Sequence, residues 1–131
     1  KTAVIILNWN GLTFLKQFLP TLIQNTTDAT IVVVDNQSTD ESFKESNGGF
    51  AKGYNDGLSQ LKGRFEYYVL INSDIEVTEN WLIPLVKKLD EHPEIAGVQP
   101  KVLSYHKKTH FEHAGASGGY IDKNYYPFCR G

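Results

Sequence analysis

Ile31-Val32-Val33-Val34-Asp35-Asn36 and Tyr68-Val69-Leu70-Ile71-Asn72-Ser73-Asp74 decide how this chain folds. Each is a run of β-branched and apolar residues ending in a short acidic signature. Such a run reads as a strand buried on both faces, the habit of parallel sheets. Ligands of open α/β sheets bind just beyond the carboxyl ends of the strands. Asp35 and Asp74, about forty residues apart, therefore read as two parts of one site. Together they imply a polar ligand with hydroxyls, and a metal that carries phosphate.

Working outward from these runs, residues 3–7 form a first strand that breaks at Asn8-Trp9-Asn10-Gly11. Thr13 is placed to cap a helix whose apolar positions Phe14, Leu15, Phe18, Leu19, Leu22 and Ile23 share one face. Pro20 inside it predicts a kink or a restart. A second strand spans 30–35, and Ser38-Thr39-Asp40-Glu41 reads as the opening of another helix. Only nine residues separate Asp40 from Phe50, too few for the helix and strand of a regular βαβ unit. Either this loop is truncated or a segment is missing between Asp40 and Phe50.

Further along, 51–61 reads as a helix, with Gly48-Gly49 before it and Gly63 at its end. A third strand spans 67–71. The amphipathic helix at 81–89 is stopped by His92-Pro93, and a strand over 95–102 is interrupted by Pro100, as at an edge or bend. A short strand is expected at 119–122. This alternation predicts an α/β domain over 1–131, with a mostly parallel sheet and helices on both faces.

Composition bounds the function classes. A chain of 131 residues buries a real core as one domain. With 13 basic and 15 acidic residues the net charge is −2, which argues for no nucleic-acid partner. No stretch approaches the roughly 20 apolar residues of a membrane span. The opening residues run straight into a strand, and their apolar part is too short for a signal peptide. The one cysteine, Cys129, excludes an internal disulfide framework and fits a reducing compartment. A cytoplasmic protein is expected.

Asp74, in a turn with Asn72 and Ser73, is a hard oxygen ligand suited to Mg²⁺ or Mn²⁺, or else a cap for the following segment. Asp35 suits two ribose hydroxyls or one base N–H, or else a loop cap. An NAD-type reading of Asp35 needs a Gly-rich turn after the first strand, and residues 8–13 hold a single glycine. In Asn47-Gly48-Gly49-Phe50-Ala51-Lys52-Gly53-Tyr54-Asn55-Asp56-Gly57 the glycines allow close backbone approach to a ligand. Lys52 there can screen a diphosphate and Asn55 can reach into the site, or the lysine is simply solvated. His106, His110 and His113 lack a fourth zinc ligand at clear spacing and read as a solvated loop.

In order along the chain, Val4-Ile5-Ile6-Leu7-Asn8-Trp9-Asn10-Gly11, Val34-Asp35-Asn36-Gln37-Ser38-Thr39-Asp40, 49–57, Leu70-Ile71-Asn72-Ser73-Asp74 and Gly97-Val98-Gln99-Pro100-Lys101 resemble a family-2 glycosyltransferase of the GT-A fold. The resemblance implies that Asn8 and Asn10 stand where the family holds the nucleotide base, largely by backbone contacts. Asp35, with Asn36 beside it, matches the acid at the base or ribose. Lys52 and Asn55 match the nucleotide and diphosphate contacts. Asn72-Ser73-Asp74 replaces the family's Asp-x-Asp, so Asn72 and Ser73 lie along the donor and Asp74 is the expected ligand of Mn²⁺ or Mg²⁺.

The implied reaction transfers a sugar, with inversion, from a nucleoside-diphosphate sugar to an acceptor hydroxyl. UDP- or dTDP-sugars are the favoured donors, and a glycan or lipid-linked acceptor is expected, in polysaccharide biosynthesis at the cell envelope. Attachment would be peripheral, at the inner face of the membrane. The catalytic base is expected beyond Gly131, which makes this chain the donor-binding portion, able to bind a donor but poor at transfer. A non-catalytic nucleotide-sugar-binding or assembly module is the alternative.

Overall fold

The computed structural model describes residues 1–36, 38–40, 50–113 and 118–129. In chain order the elements are β1 (Thr2–Asn8), α1 (Leu12–Gln24), β2 (Ala29–Asp35), α2 (Phe50–Leu61), β3 (Tyr67–Asn72), α3 (Ile83–Glu91), β4 (Gly119–Ile121) and β5 (Pro127–Cys129). They fall into two units, Lys1–Asn80 and Trp81–Gly131.

In the first unit a three-stranded parallel sheet runs in the order β2-β1-β3. β1 is central and buried along its whole length, which is why its sequence lacks alternation. Its residues still divide between two faces. Ala3, Ile5 and Leu7 join Tyr54 and Leu61 of α2 in one cluster. On the other, Ile6 lines one small pocket with Leu15, Phe18, Leu19 and Leu22 of α1. Helices thus cover both faces, as the alternation of elements predicts. The flanking strands are less covered, with Val33 41% and Leu70 50% exposed.

Local details depart from expectation. Thr13 does not cap α1: Gly11 is the N-cap residue, and the Leu12 N–H donates to Asp40 Oδ2 at 3.2 Å. The helix neither stops nor restarts at Pro20. A proline removes one backbone hydrogen bond, but buried Phe18 and Leu22 on either side anchor the helix to the sheet. Residues 38–40 form an open bend, and the helix they were expected to open would lie over 41–49, outside the described residues. Whether a segment is missing between Asp40 and Phe50 concerns residues outside those described.

α2 begins one residue earlier than expected and lies close on the sheet because Gly53 and Gly57 present no side chain to it. A Cβ at Gly57 would stand 2.6 Å from Val34 Cγ2, and one at Gly53 2.6 Å from Leu7 Cδ1. Past the helix, Gly63 takes a φ of 76°, a left-handed geometry that glycine adopts without strain.

In the second unit, α3 starts at Ile83, with a proline in its first turn, and ends before His92-Pro93. The strand expected over 95–102 does not form. Pro100 has no N–H to donate, and the segment pairs with no strand among the described residues. The chain instead folds back locally, with Ser104 N–H to His110 O at 2.9 Å and Glu112 N–H to Val102 O at 3.1 Å. The short strand at 119–122 is present as β4, paired antiparallel with β5. Among the described residues no helix is long and apolar enough to cross a membrane.

Candidate functional site

Strand register builds the site. Asn8 at the end of β1 pairs with Asp35 at the end of β2, and Leu7 pairs with Asn72 at the end of β3. Asp35 and the Asn72-Ser73-Asp74 turn therefore flank the central strand at one edge of one sheet. Their strands are two spacings apart, roughly 10 Å.

The loops after β1 and β2 are clasped together. Asn8 Nδ2 donates to Asp35 Oδ1 at 2.9 Å and to Ser38 Oγ at 3.1 Å. The amide nitrogen must face Asp35, because an ionised carboxylate only accepts. The Ser38 hydroxyl donates to Asp35 Oδ1 at 2.6 Å and accepts from Asn10 N–H at 2.9 Å. Asn10, in the left-handed region at φ 49°, turns its Oδ1 to the backbone N–H groups of Thr39 at 2.7 Å and Asp40 at 3.3 Å. Asn36 donates its N–H to Asn8 O at 2.7 Å and is buried. A Cβ on Gly53 would lie 3.2 Å from its Cγ.

Asp35 is left with little capacity. Oδ1 takes two hydrogen bonds, and Oδ2 takes one, from Ser38 N–H at 3.0 Å. A carboxylate offers about four acceptor positions, so one remains, on Oδ2. Burial alone would raise the pKa of this group, but the bonds from Ser38 and Asn8 outweigh it and hold the carboxyl below its ordinary value.

The β3 side is built differently. Asn72 and Asp74 are exposed and Ser73 is half-buried. Asp74 has no hydrogen-bond or ion-pair partner among the described residues. Ser73 leans toward the start of α1, where a Cβ on Gly11 would meet its Oγ at 3.1 Å and Asn8 Oδ1 at 2.4 Å. Glycine at position 11 is thus what lets these elements converge. Beneath the turn, the buried Tyr54 hydroxyl donates to Ile71 O at 2.8 Å. Burial pushes this phenol up, a hydrogen bond with the Leu7 backbone pulls the other way, and the charge of Asp74 adds to the rise.

Lys52 and Asn55 project from α2 as exposed residues. Lys52 forms a surface ion pair with Asp56 one turn on. Such pairs contribute little, so the ammonium can change partner at small cost. Ser38, Asp40 and Tyr54 were not legible as site residues, because their importance lies in contacts across loops and elements. All three do fall inside strings that carry the resemblance.

No group of three or more His, Cys, Asp or Glu that could hold a metal occurs among the described residues. That does not exclude Mg²⁺ or Mn²⁺, which commonly take one or two protein carboxylates and fill the shell with phosphate oxygens and water. The donor set here fits that mode: an open carboxylate on Asp74, with the amide and hydroxyl oxygens of Asn72 and Ser73 beside it.

The glycosyl transferase family 2 model matches residues 42–127, well over half of the chain, and the chain belongs to that family. The strings after β1 and β2 fall outside the matched range. Among solved structures, S. aureus TarS 1–349 in complex with UDP-GlcNAc is similar, with a TM-score of 0.59 and 24% identity over 79% of this chain. At that identity the likeness speaks for the fold, an α/β architecture of the GT-A kind. This chain spans 38% of the TarS chain. No curated protein matches the sequence.

Proposed function

We propose that this chain binds a nucleoside-diphosphate sugar at the carboxyl edge of its parallel sheet, as the metal-dependent donor half of a glycosyl transfer. The observation that carries the reading is the pairing of a nearly saturated Asp35 with an open Asp74 on either side of β1. Asp35 has one acceptor position to offer, which suits the single imide N–H of uracil or thymine. Guanine presents two adjacent donors and would want both carboxylate oxygens, and Oδ1 is already filled. A pair of ribose hydroxyls meets the same objection. UDP- and dTDP-sugars are therefore the favoured donors, and the UDP-GlcNAc held by TarS is consistent with that choice.

Asp74, with Asn72 and Ser73, is the proposed cation ligand set. A bound Mn²⁺ or Mg²⁺ supplies positive charge to the departing nucleoside diphosphate. Asn72 is neutral where an acid is expected, which lowers the negative charge of the set and weakens cation binding. Lys52, released from Asp56, adds a charge-assisted contact to the diphosphate, and Asn55 stands one turn along the same helix. Asn8, Asn10 and Asn36 hold Asp35 and the loop around it. On family grounds alone the proposal extends to inversion at the anomeric carbon, a glycan or lipid-linked acceptor and a place in cell-envelope polysaccharide synthesis.

A thermal-shift panel of nucleoside diphosphates and nucleotide sugars, with and without Mn²⁺, tests the reading. A donor at 100 times its dissociation constant stabilises the fold by about 2.7 kcal/mol. UDP or dTDP compounds should give the largest shifts, GDP compounds the smallest, and Asp74→Ala should lose the Mn²⁺-dependent part. Equal responses from Asp74→Ala and the parent would remove the metal assignment, and a preference for GDP would remove the role given to Asp35.

A further inference from the structure

Tyr54 joins two parts of the molecule that the nucleotide reading treats separately. It lies on α2 between Gly53 and Gly57, so it crosses the sheet from a helix already pressed against β1 and β2. It is 6% exposed, and its hydroxyl donates to Ile71 O at 2.8 Å. Ile71 immediately precedes Asn72-Ser73-Asp74. Its carbonyl belongs to the same planar peptide as the Asn72 N–H, so anchoring it fixes the direction in which the chain leaves the sheet.

The anchor matters because of where β3 lies. It is an edge of the three-stranded sheet, bonded to β1 on one side, and the pairing ends at Leu7 with Asn72. The end of an edge strand is where local opening costs least. The turn beyond it carries Asp74, which no other described side chain holds. Packing alone does not require the hydroxyl, since a phenylalanine ring fills the same space.

We propose that Tyr54 is a positioning residue for Asp74: its hydroxyl holds the exit of β3 so that the Asp74 carboxylate, with Asn72 and Ser73, meets a cation on the diphosphate in one arrangement. Tyr54 does not itself touch the ligand. This rests on Asp74 being the cation ligand, as argued above.

The test compares the parent chain, Tyr54→Phe, Asp74→Ala and the double variant. Three quantities are measured: the Mn²⁺ concentration giving half-maximal UDP binding, UDP affinity in EDTA, and the melting temperature. Loss of one hydrogen bond's worth of organisation should raise the Mn²⁺ requirement of Tyr54→Phe about three- to ten-fold. UDP affinity in EDTA should stay within about two-fold of the parent, since Asp35 is bonded by Asn8 and Ser38 and not by Tyr54. In the Asp74→Ala background Tyr54→Phe should cause no further loss of UDP binding.

An unchanged Mn²⁺ requirement overturns the proposal. So does a parallel loss of binding with and without metal, which marks general loosening, or an added loss on top of Asp74→Ala. A parent whose UDP binding ignores Mn²⁺ overturns the cation reading of Asp74 and takes this proposal with it. A parent that responds, with Tyr54→Phe behaving identically, overturns the role of Tyr54 alone.

Discussion

The two halves of the sheet edge are built by opposite means. Beyond β1 and β2, Asn8, Asn10, Asp35, Ser38 and Asp40 are bonded to one another or to neighbouring backbone. Beyond β3, Asp74 stands exposed, and the turn that carries it is fastened from below through Ile71 O. Under the proposed function the nucleoside would meet the preorganised side, where binding loses little conformational freedom. The open carboxylate would keep its ligand capacity for a cation and phosphate oxygens. The contrast teaches that sequence signatures which look alike, an acid after an apolar run, do different physical jobs depending on what the adjoining loop supplies.

The largest expected effect breaks the clasped side. In Asp35→Ala the Asn8 amide and the Ser38 hydroxyl and N–H lose their shared acceptor. Leaving such groups unsatisfied costs about 1–3 kcal/mol each when buried. With part of that recovered by water, the variant should lose about 2–4 kcal/mol of stability, together with uracil-nucleotide binding. Chemical denaturation in urea and a UDP titration check both.

Next comes the platform under both halves. In Gly57→Ala the new Cβ would fall 2.6 Å from Val34 Cγ2. Valine is stiff at χ1 and cannot swing its methyl away cheaply. Overpacking of this kind costs about 1–3 kcal/mol, and a thermal melt should show it. Nucleoside and cation binding should weaken together, the opposite of the selective losses expected from Asp35 and Asp74.

How much of this was readable beforehand follows from where each interaction lives. β1, β2 and β3 announce themselves because burial on two faces forces a continuous apolar run, and that places Asp35 and Asp74 at strand ends. The clasp is invisible in sequence, since Ser38 and Asp40 acquire their roles only once the register sets Asn8 beside Asp35. Tyr54 looks like an ordinary aromatic until the flanking glycines bring α2 close to the sheet. The strand read over 95–102 fails for the complementary reason. An apolar string becomes a strand only where a ladder accepts it, and residues 95–102 pair with none among the described residues.

Ser38→Ala sharpens the comparison through pH. The folded-state pKa of Asp35 is lowered from 3.8, so its bonds stabilise fully above the unfolded value. That contribution disappears as pH falls through the folded value. Parent melting temperature should therefore drop in the acid range below about pH 4. Removing the hydroxyl moves the folded pKa upward, toward the unfolded value. The variant should be about 1–2 kcal/mol less stable at neutral pH, with a shallower acid decline. An acid decline as steep as the parent's would mean that Ser38 does not hold the charged form of Asp35.

The smallest effect on the fold comes from Asp74→Ala. Asp74 is exposed and bonds to nothing described, so its removal deletes no internal contact. Changes at such surface positions stay within about 0.5 kcal/mol. The urea midpoint of the metal-free variant should match the parent, whereas Asp35→Ala fails the same measurement by a wide margin. If Asp74→Ala instead destabilised the metal-free fold appreciably, the carboxylate would be serving the turn itself, and the two acids would no longer be opposites. A silent melt combined with lost Mn²⁺-dependent UDP binding is the pattern of a side chain whose partner is the ligand.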